Sequence, residues 1–261
     1  MENNDKVKDF NENEYKEVDR EARESLEFVR SKIIISRYVT NNYIEIADVG
    51  GATGAYSFWL AKMGHHVHLL DLAQNHIDIA KEESRKSGIN LASYDCADAR
   101  ELPYTNQSMD LVLLMGALYH LHTPEARLMC LSEAYRVLKP GGLVICTVMN
   151  RYNSIISPFK YKLFDRFTRS GIEDALKTGI HDKANFYAHT PNELISEMVS
   201  ANFESIQLIA VEGVANALSD NQLPSDEREA SRLLWCIEIS ESIPDLIGVT
   251  RNLIGVGKKR I

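Results

Sequence analysis

The stretch Asp48-Val49-Gly50-Gly51-Ala52-Thr53-Gly54 constrains this chain more than any other. Residues 43–49 form a short apolar run that reads as a strand. Residues 55–63 read as a helix, closed by Gly64 as its C-cap. The small residues between them make a tight turn whose backbone a ligand can approach, and the helix N-terminus adds N–H groups. In an open parallel sheet, this first crossing from strand to helix is where a nucleotide sits.

The same rhythm continues downstream. Residues 66–70 predict a second strand ending at Asp71, residues 73–86 a helix closed near Gly88, and residues 91–96 a third strand. Residues 109–115 are almost continuously apolar, as expected of a strand buried on both faces. Thr123 and Pro124 supply the N-cap and first-turn proline of a helix that runs to Leu138 and stops at Lys139-Pro140-Gly141-Gly142. Residues 143–148 are a fifth strand. Strands and helices alternating across short turns predict βαβ units and a parallel sheet with right-handed crossovers.

After Met149 the rhythm breaks. Residues 150–189 carry Phe159, Tyr161, Phe164, Phe167, Phe186 and Tyr187 among basic and polar side chains and read as an irregular helical insertion. A helix follows Pro191, a strand lies at 203–211, residues 225–242 look helical, and 250–258 read as a last strand. Before the sheet, Leu26, Val29, Ile33 and Ile34 recur at helical spacing. No repeat or linker divides the chain, so residues 1–261 are read as one domain. Its core is 43–149; residues 10–40, 150–189 and 213–245 form a helical cap.

A formal charge of -8 repels polyanions, and the only basic run is Lys258-Lys259-Arg260, which argues against nucleic acid as a partner. Cys96, Cys130, Cys146 and Cys236 are scattered with no CxxC pair, as suits a reducing cytoplasm. No apolar stretch is long enough to span a bilayer, and the polar N-terminus is unlike a signal peptide, so no stable membrane association is expected.

A dinucleotide fingerprint starting at Gly50 would need glycines where Ala52 and Ala55 stand, so it fails. The spacing acidic-x-Gly-x-Gly/Ala-x-Gly does fit, as Asp48, Gly50, Ala52 and Gly54. Here the chain resembles the class I S-adenosylmethionine-dependent methyltransferases. The resemblance also rests on Asp71, on Asp98 within Ala97-Asp98-Ala99-Arg100-Glu101-Leu102-Pro103, on Asp110, and on Leu138 to Gly142. It implies a Rossmann-like, mostly parallel seven-stranded sheet with helices on both faces, S-adenosylmethionine as cofactor, and S-adenosylhomocysteine as product. It implies that the turn of Asp48, Gly50, Gly51, Ala52 and Gly54, with Tyr56, passes under the methionine part. Asp71 and Leu72 would hold the ribose, Asp98 and Ala99 the adenine, and Met115 and Gly116 the methyl end. Ala52 departs from the commoner glycine.

In that family the loop after the fourth strand, here Met115-Gly116-Ala117-Leu118-Tyr119-His120-Leu121-His122, lies beside the transferred methyl. Tyr119 and His120 are therefore the candidate catalytic residues, and an ordinary histidine pKa suits general-base work near neutrality. His120, His181, Phe186, Tyr187 and His189 are the candidate acceptor-binding residues. No metal is expected: His65, His66 and His68 start the second strand away from the cofactor end, with no ligand suggested from another element. The loop lacks the Asn/Asp-Pro-Pro-aromatic tetrapeptide of enzymes that methylate exocyclic amines of bases. That favours a small-molecule acceptor; a lipid-like or quinone precursor, and cofactor binding without catalysis, stand as alternatives.

Overall fold

Apolar residues alternating between two faces build the sheet. In β4 (Met109–Leu114) Val112 and Leu114 join one buried cluster while Leu111 and Leu113 join another. The same split runs through β1 (Glu45–Val49), with Ile46 on one side and Ala47 and Val49 on the other. Both faces must therefore be covered by helices, as the continuous apolar runs imply. A computed structural model describes residues 25–39, 43–162, 169–181, 186–218 and 226–261. The predicted cap positions 10–24, and Phe164 and Phe167, lie outside the described residues.

β1 is flanked by β2 (His66–Asp71) and β4, β3 (Ser93–Cys96) borders β2, and β5 (Leu138–Asn150) borders β4, all in parallel. The final strand β9 (Asn252–Lys258) runs antiparallel to β5 and to β8 (Glu204–Ala210), which completes a seven-stranded sheet with one reversed strand. One face carries α1 (Leu26–Ser36), α2 (Ala55–Lys62) and α3 (Gln74–Ser87), through Ile34, Ile35, Phe58, Leu60 and Ile77. The other carries α4 (Pro124–Val137) and, past the insertion, α7 (Pro191–Ser200), through Leu131, Ala134, Leu194 and Met198. Thr123 caps α4 as expected, its hydroxyl accepting from Ala126 N at 3.2 Å.

Two features differ from the sequence reading. β5 begins at Leu138, which pairs with Met109, and a register shift follows before Leu143 pairs with Leu111. The Lys-Pro-Gly-Gly segment stops the helix yet lies within the strand. The insertion is also not wholly helical. Between α5 (Asn153–Lys160), α6 (Arg169–Thr178) and α7 lies a hairpin of β6 (Ile180–His181) and β7 (Phe186–His189). β7 extends the sheet by pairing in parallel with the last two residues of β5. α8 (Glu227–Ser240) completes the cap.

Candidate active site

The glycine turn is held from beneath by Leu70, whose carbonyl accepts from both Gly50 N (2.8 Å) and Gly51 N (3.1 Å). A Cβ at Gly51 would lie 2.5 Å from Leu69 Cδ1 and 2.7 Å from the Asp48 carboxylate, so only glycine fits. A Cβ at Gly50 would meet that of Ala117 at 3.2 Å, so turn and post-β4 loop touch at their smallest residues. Gly54 caps α2 without a side-chain hydrogen bond, and the Ser57 backbone amide of the first turn serves the Asp48 carboxyl. Ala52 occupies the left-handed region at φ 48°, a conformation better suited to the glycine it replaces.

Three carboxylates surround this turn. Asp48 is fully buried; Ser57 Oγ donates to its Oδ2 at 2.6 Å, and Oδ1 has no partner among the described residues. Burial pushes its carboxyl up to about 6; the Ser57 bond opposes this, and the nearby Asp71 charge adds to it. Asp71 stitches three segments: Oδ2 accepts from Ala52 N at 2.9 Å, and Oδ1 from Ala73 N at 2.9 Å and the His76 ring at 3.0 Å. Ala97 N donates to Asp71 O, which sets Ala97, Asp98 and Ala99 beside the end of β2. Leu72 O takes the Cys96 thiol. Asp98 is gripped by Arg100, through the backbone N and Nε on Oδ1 and a terminal nitrogen on Oδ2 at 2.6 Å. A ring of acidic groups around an open turn suits a cofactor carrying an ammonium and a sulfonium, and is hostile to a pyrophosphate.

Above the turn stands the loop after β4. Thr147 Oγ1 donates to Met115 Sδ at 3.5 Å, and the Tyr119 hydroxyl would sit 3.1 Å from a Cβ at Gly116. A single 3-10 turn, Leu118–His120, brings the Tyr119 and His120 rings to 4.6 Å. Withdrawal from water lowers the His120 pKa to about 4, against the Asp71 charge and with help from His122. The expectation of an ordinary histidine base is thereby corrected. His120 is neutral at physiological pH but weakly basic. Tyr56, in the first turn of α2, packs on Phe28 of α1 at 4.8 Å between ring centroids.

The insertion meets this loop through β7, which packs on the Leu118–His120 turn. Its side chains do something the sequence did not announce. Arg127 of α4, almost fully buried, donates to Leu121 O (2.9 Å) and His122 O (3.0 Å) and so clamps the loop. The same guanidinium binds both oxygens of Glu197 and lies 3.7 Å over the Tyr187 ring. His189, 0% exposed, donates to Glu197 at 3.0 Å, and Arg151 donates to the Tyr187 hydroxyl at 2.8 Å and pairs with Glu193. Tyr187 and His189, expected at the acceptor, are thus buried supports of the loop. Burial lowers the His189 pKa, against the hydrogen bond to Glu197. Phe186 remains half-buried at the start of β7, and the backbone of His181 pairs with it.

Three further groups escaped the sequence reading. Arg30 donates to Val211 O and pairs with Glu241, and Arg37 joins Glu241 and Glu238; together they fasten α1 to the end of α8. Glu27, in the first turn of α1, is pushed up to about 7 by burial and by the charge of Glu212, against Arg251 and Asn252.

Residues 47–146 match the family model described as a methyltransferase domain. A ubiquinone biosynthesis O-methyltransferase from Coxiella burnetii is 27% identical over 177 residues, covering 68% of this chain and 70% of that protein. In fold, the chain is similar to a SAM-dependent methyltransferase from Methanosarcina mazei, with a TM-score of 0.59 at 17% identity over 87% of this chain and 97% of that one. It is also similar to Haemonchus contortus phosphoethanolamine N-methyltransferase 2, solved with phosphomonomethylethanolamine and S-adenosylhomocysteine. That match has a TM-score of 0.63 at 16% identity, over 97% of this chain and 59% of that one.

Proposed function

Because the chain belongs to the class I S-adenosylmethionine-dependent methyltransferases, we propose that its acceptor is a small molecule held over Gly116. The observation that carries this reading is the meeting of Gly50 with Ala117, directly beside the Tyr119–His120 pair. The cofactor, when bound, supplies an electrophilic methyl on a sulfonium. Asp71 and Asp98 hold its nucleoside end, and the turn from Asp48 to Gly54 follows its methionine end. Small residues at 50, 116 and 117 let an acceptor atom approach in line, and Tyr119 and His120 orient it. His120, neutral throughout the physiological range, accepts a hydrogen bond from the nucleophile at a ring nitrogen. With a pKa near 4 it contributes more to alignment than to proton removal. The scattered free cysteines fit the cytoplasm as the site of action.

A quinone precursor or other lipid-like acceptor is the second reading. The Coxiella relative acts in ubiquinone biosynthesis by name. The cap also exposes Ile155 and Phe159 on α5 and, separately, Trp235 and Ile239 on α8, apolar side chains that suit such a molecule.

Turnover with S-adenosylmethionine against a panel of phenols, catechols and amines, with and without isoprenoid tails, tests both readings. Methylation of a tail-less compound supports the first, and a requirement for the tail supports the second. His120→Ala should bind S-adenosylhomocysteine like the parent while turnover falls about 10²-fold, and parental kcat should be flat from pH 6 to 8. Cofactor binding with no acceptor methylated would leave a binding protein and sink the catalytic reading.

A further inference from the structure

At the pole of the sheet opposite the cofactor, the β1–β2 register sets Glu45 beside His66 and Ala47 beside His68. The two histidines are two residues apart on one strand and share a face. Glu45 Oε2 lies 2.7 Å from His66 Nδ1 and 3.1 Å from His68 Nε2, and one ligand atom from each of the three residues falls within 4.8 Å of the others. The sequence reading found no ligand on a second element for these histidines; the register supplies one.

Hydrogen-bond accounting shows what belongs among them. Ser93 Oγ has one proton, and it is given to Asp95 Oδ2, which also accepts from the Tyr104 hydroxyl at 3.1 Å. His68 Nδ1, 3.0 Å from the same Ser93 Oγ, must therefore be the donor in that bond. A neutral His68 then presents the Nε2 lone pair to a carboxylate oxygen, acceptor against acceptor, which either a proton on that nitrogen or a metal ion between the two resolves. This arrangement also matches the outer support of histidine metal ligands, in which the far ring nitrogen donates to an oxygen and fixes the ring. Tyr104 packs edge-on against His68 at 5.4 Å and Tyr43 stacks on His66 at 5.8 Å, so both rings are held in place. His66 is 44% exposed, which leaves one side open to water ligands.

We propose that Glu45, His66 and His68 bind a divalent transition-metal ion of the zinc type, with water completing the coordination. Two imidazoles and a carboxylate are a donor set for zinc, and bond lengths of about 2.0–2.2 Å put tetrahedral ligand atoms about 3.3 Å apart. The observed separations from Glu45 need only a small opening to reach that. The ion would tie β1 to β2 far from the cofactor and stabilise the folded chain by mass action. Methyl transfer does not depend on it.

The test is calorimetric titration of the full chain, stripped with chelator, with Zn²⁺ alone, and with Co²⁺ to read the visible absorption of a low-coordinate site. One equivalent should bind with micromolar Kd and raise Tm. His66→Ala/His68→Ala should weaken binding by about 100-fold or more, and Ser93→Ala by about 10-fold, since it removes only the outer support. Circular dichroism and thermal unfolding of each variant establish that the sheet still forms. The proposal is overturned if the parent takes up Zn²⁺ only at millimolar concentration. It is equally overturned if the folded double variant binds as the parent does, which would place the ion away from this cluster.

Discussion

In the cofactor half, the decisive contacts reach a short way along the chain. Asp71 accepts from Ala73, two residues on, and from Ala52, nineteen back, and Asp48 accepts from Ser57 across nine. In the cap and in the helices that back its junction with the sheet they span long stretches of chain: Arg127 meets Glu197 seventy residues away, and Arg30 meets Glu241 across 211. One region is specified by turns whose geometry admits few residue types. The other is specified by ion pairs that form only once the fold has brought distant segments together. A methyltransferase of this build can therefore keep its cofactor turn while its cap varies, because the two rest on separate sets of interactions.

The comparison breaks most visibly at Arg127. Arg127→Met should cost about 3–5 kcal/mol of stability, since Glu197 is left without its cation, with only His189 donating to it, and the loop carbonyls are left without a donor. If the variant is stable enough to assay, KM for the acceptor should rise and kcat should fall while S-adenosylhomocysteine affinity barely moves. An equal loss of cofactor affinity would show that cap and cofactor half are not separable. The second effect lies on the other side. Asp71→Ala removes the acceptor of three hydrogen bonds as well as the proposed ribose contact, and cofactor binding should weaken by roughly 2–4 kcal/mol. Asp98→Ala should weaken it less, because Asp98 would make a single contact with adenine where Asp71 would accept from two ribose hydroxyls. Calorimetry on the two variants decides the order, and the reverse order would misplace the ribose.

These two variants also mark what the sequence disclosed. Asp71 was legible because a strand end, an acidic residue and a helix start follow one another within a few positions, and local geometry fixes what that means. Arg127 was not. On the sequence it is one basic residue in an amphipathic helix, and nothing nearby points to Glu197. Tyr187 and His189 misled for the same reason, since aromatic residues in an insertion look like pocket lining until their burial is known. The strand β7 was hidden by its shortness, with only two residues of β5 to pair against. The position of His120 in the post-β4 loop was legible, yet its base strength depends on burial, which no spacing reports.

Glu27 sharpens the comparison through pH. Its carboxyl lies near 7 in the folded chain against an ordinary 4.5, so between those values the folded state binds more protons than the unfolded state. Its contribution is therefore fully present below about pH 4.5 and is lost as pH rises through 7. Glu27→Gln should leave the protein more stable than the parent by about 1–3 kcal/mol above pH 7.5, a gap that closes toward pH 4.5. Asp48 adds a slope of the same sign and His120 one of opposite sign over about pH 4 to 6.5. The difference between parent and variant, from denaturant unfolding at each pH, isolates Glu27. A gap independent of pH would mean that α1 does not bury this carboxyl.

The smallest effect is at Ala52, where the cofactor half carries a local conflict of its own. An alanine at φ 48° costs about 1–2 kcal/mol relative to the right-handed region, and Ala52 adopts it so that its N–H can donate to Asp71. Ala52→Gly removes that cost but adds about 0.4–1 kcal/mol of unfolded-chain entropy, so the net gain should be about 0.5 kcal/mol. Thermal unfolding should show it as a rise of roughly 1–2 °C. Affinity for S-adenosylhomocysteine should hold or improve slightly, because the Asp71 bond is kept and a methyl is removed from the approach to the turn. A fall in Tm would mean that the Ala52 methyl makes contacts worth more than its dihedral cost. The turn would then owe its shape to tertiary contacts, as the cap does, and the contrast between the two regions would narrow at the residue where this chain leaves the family's usual spacing.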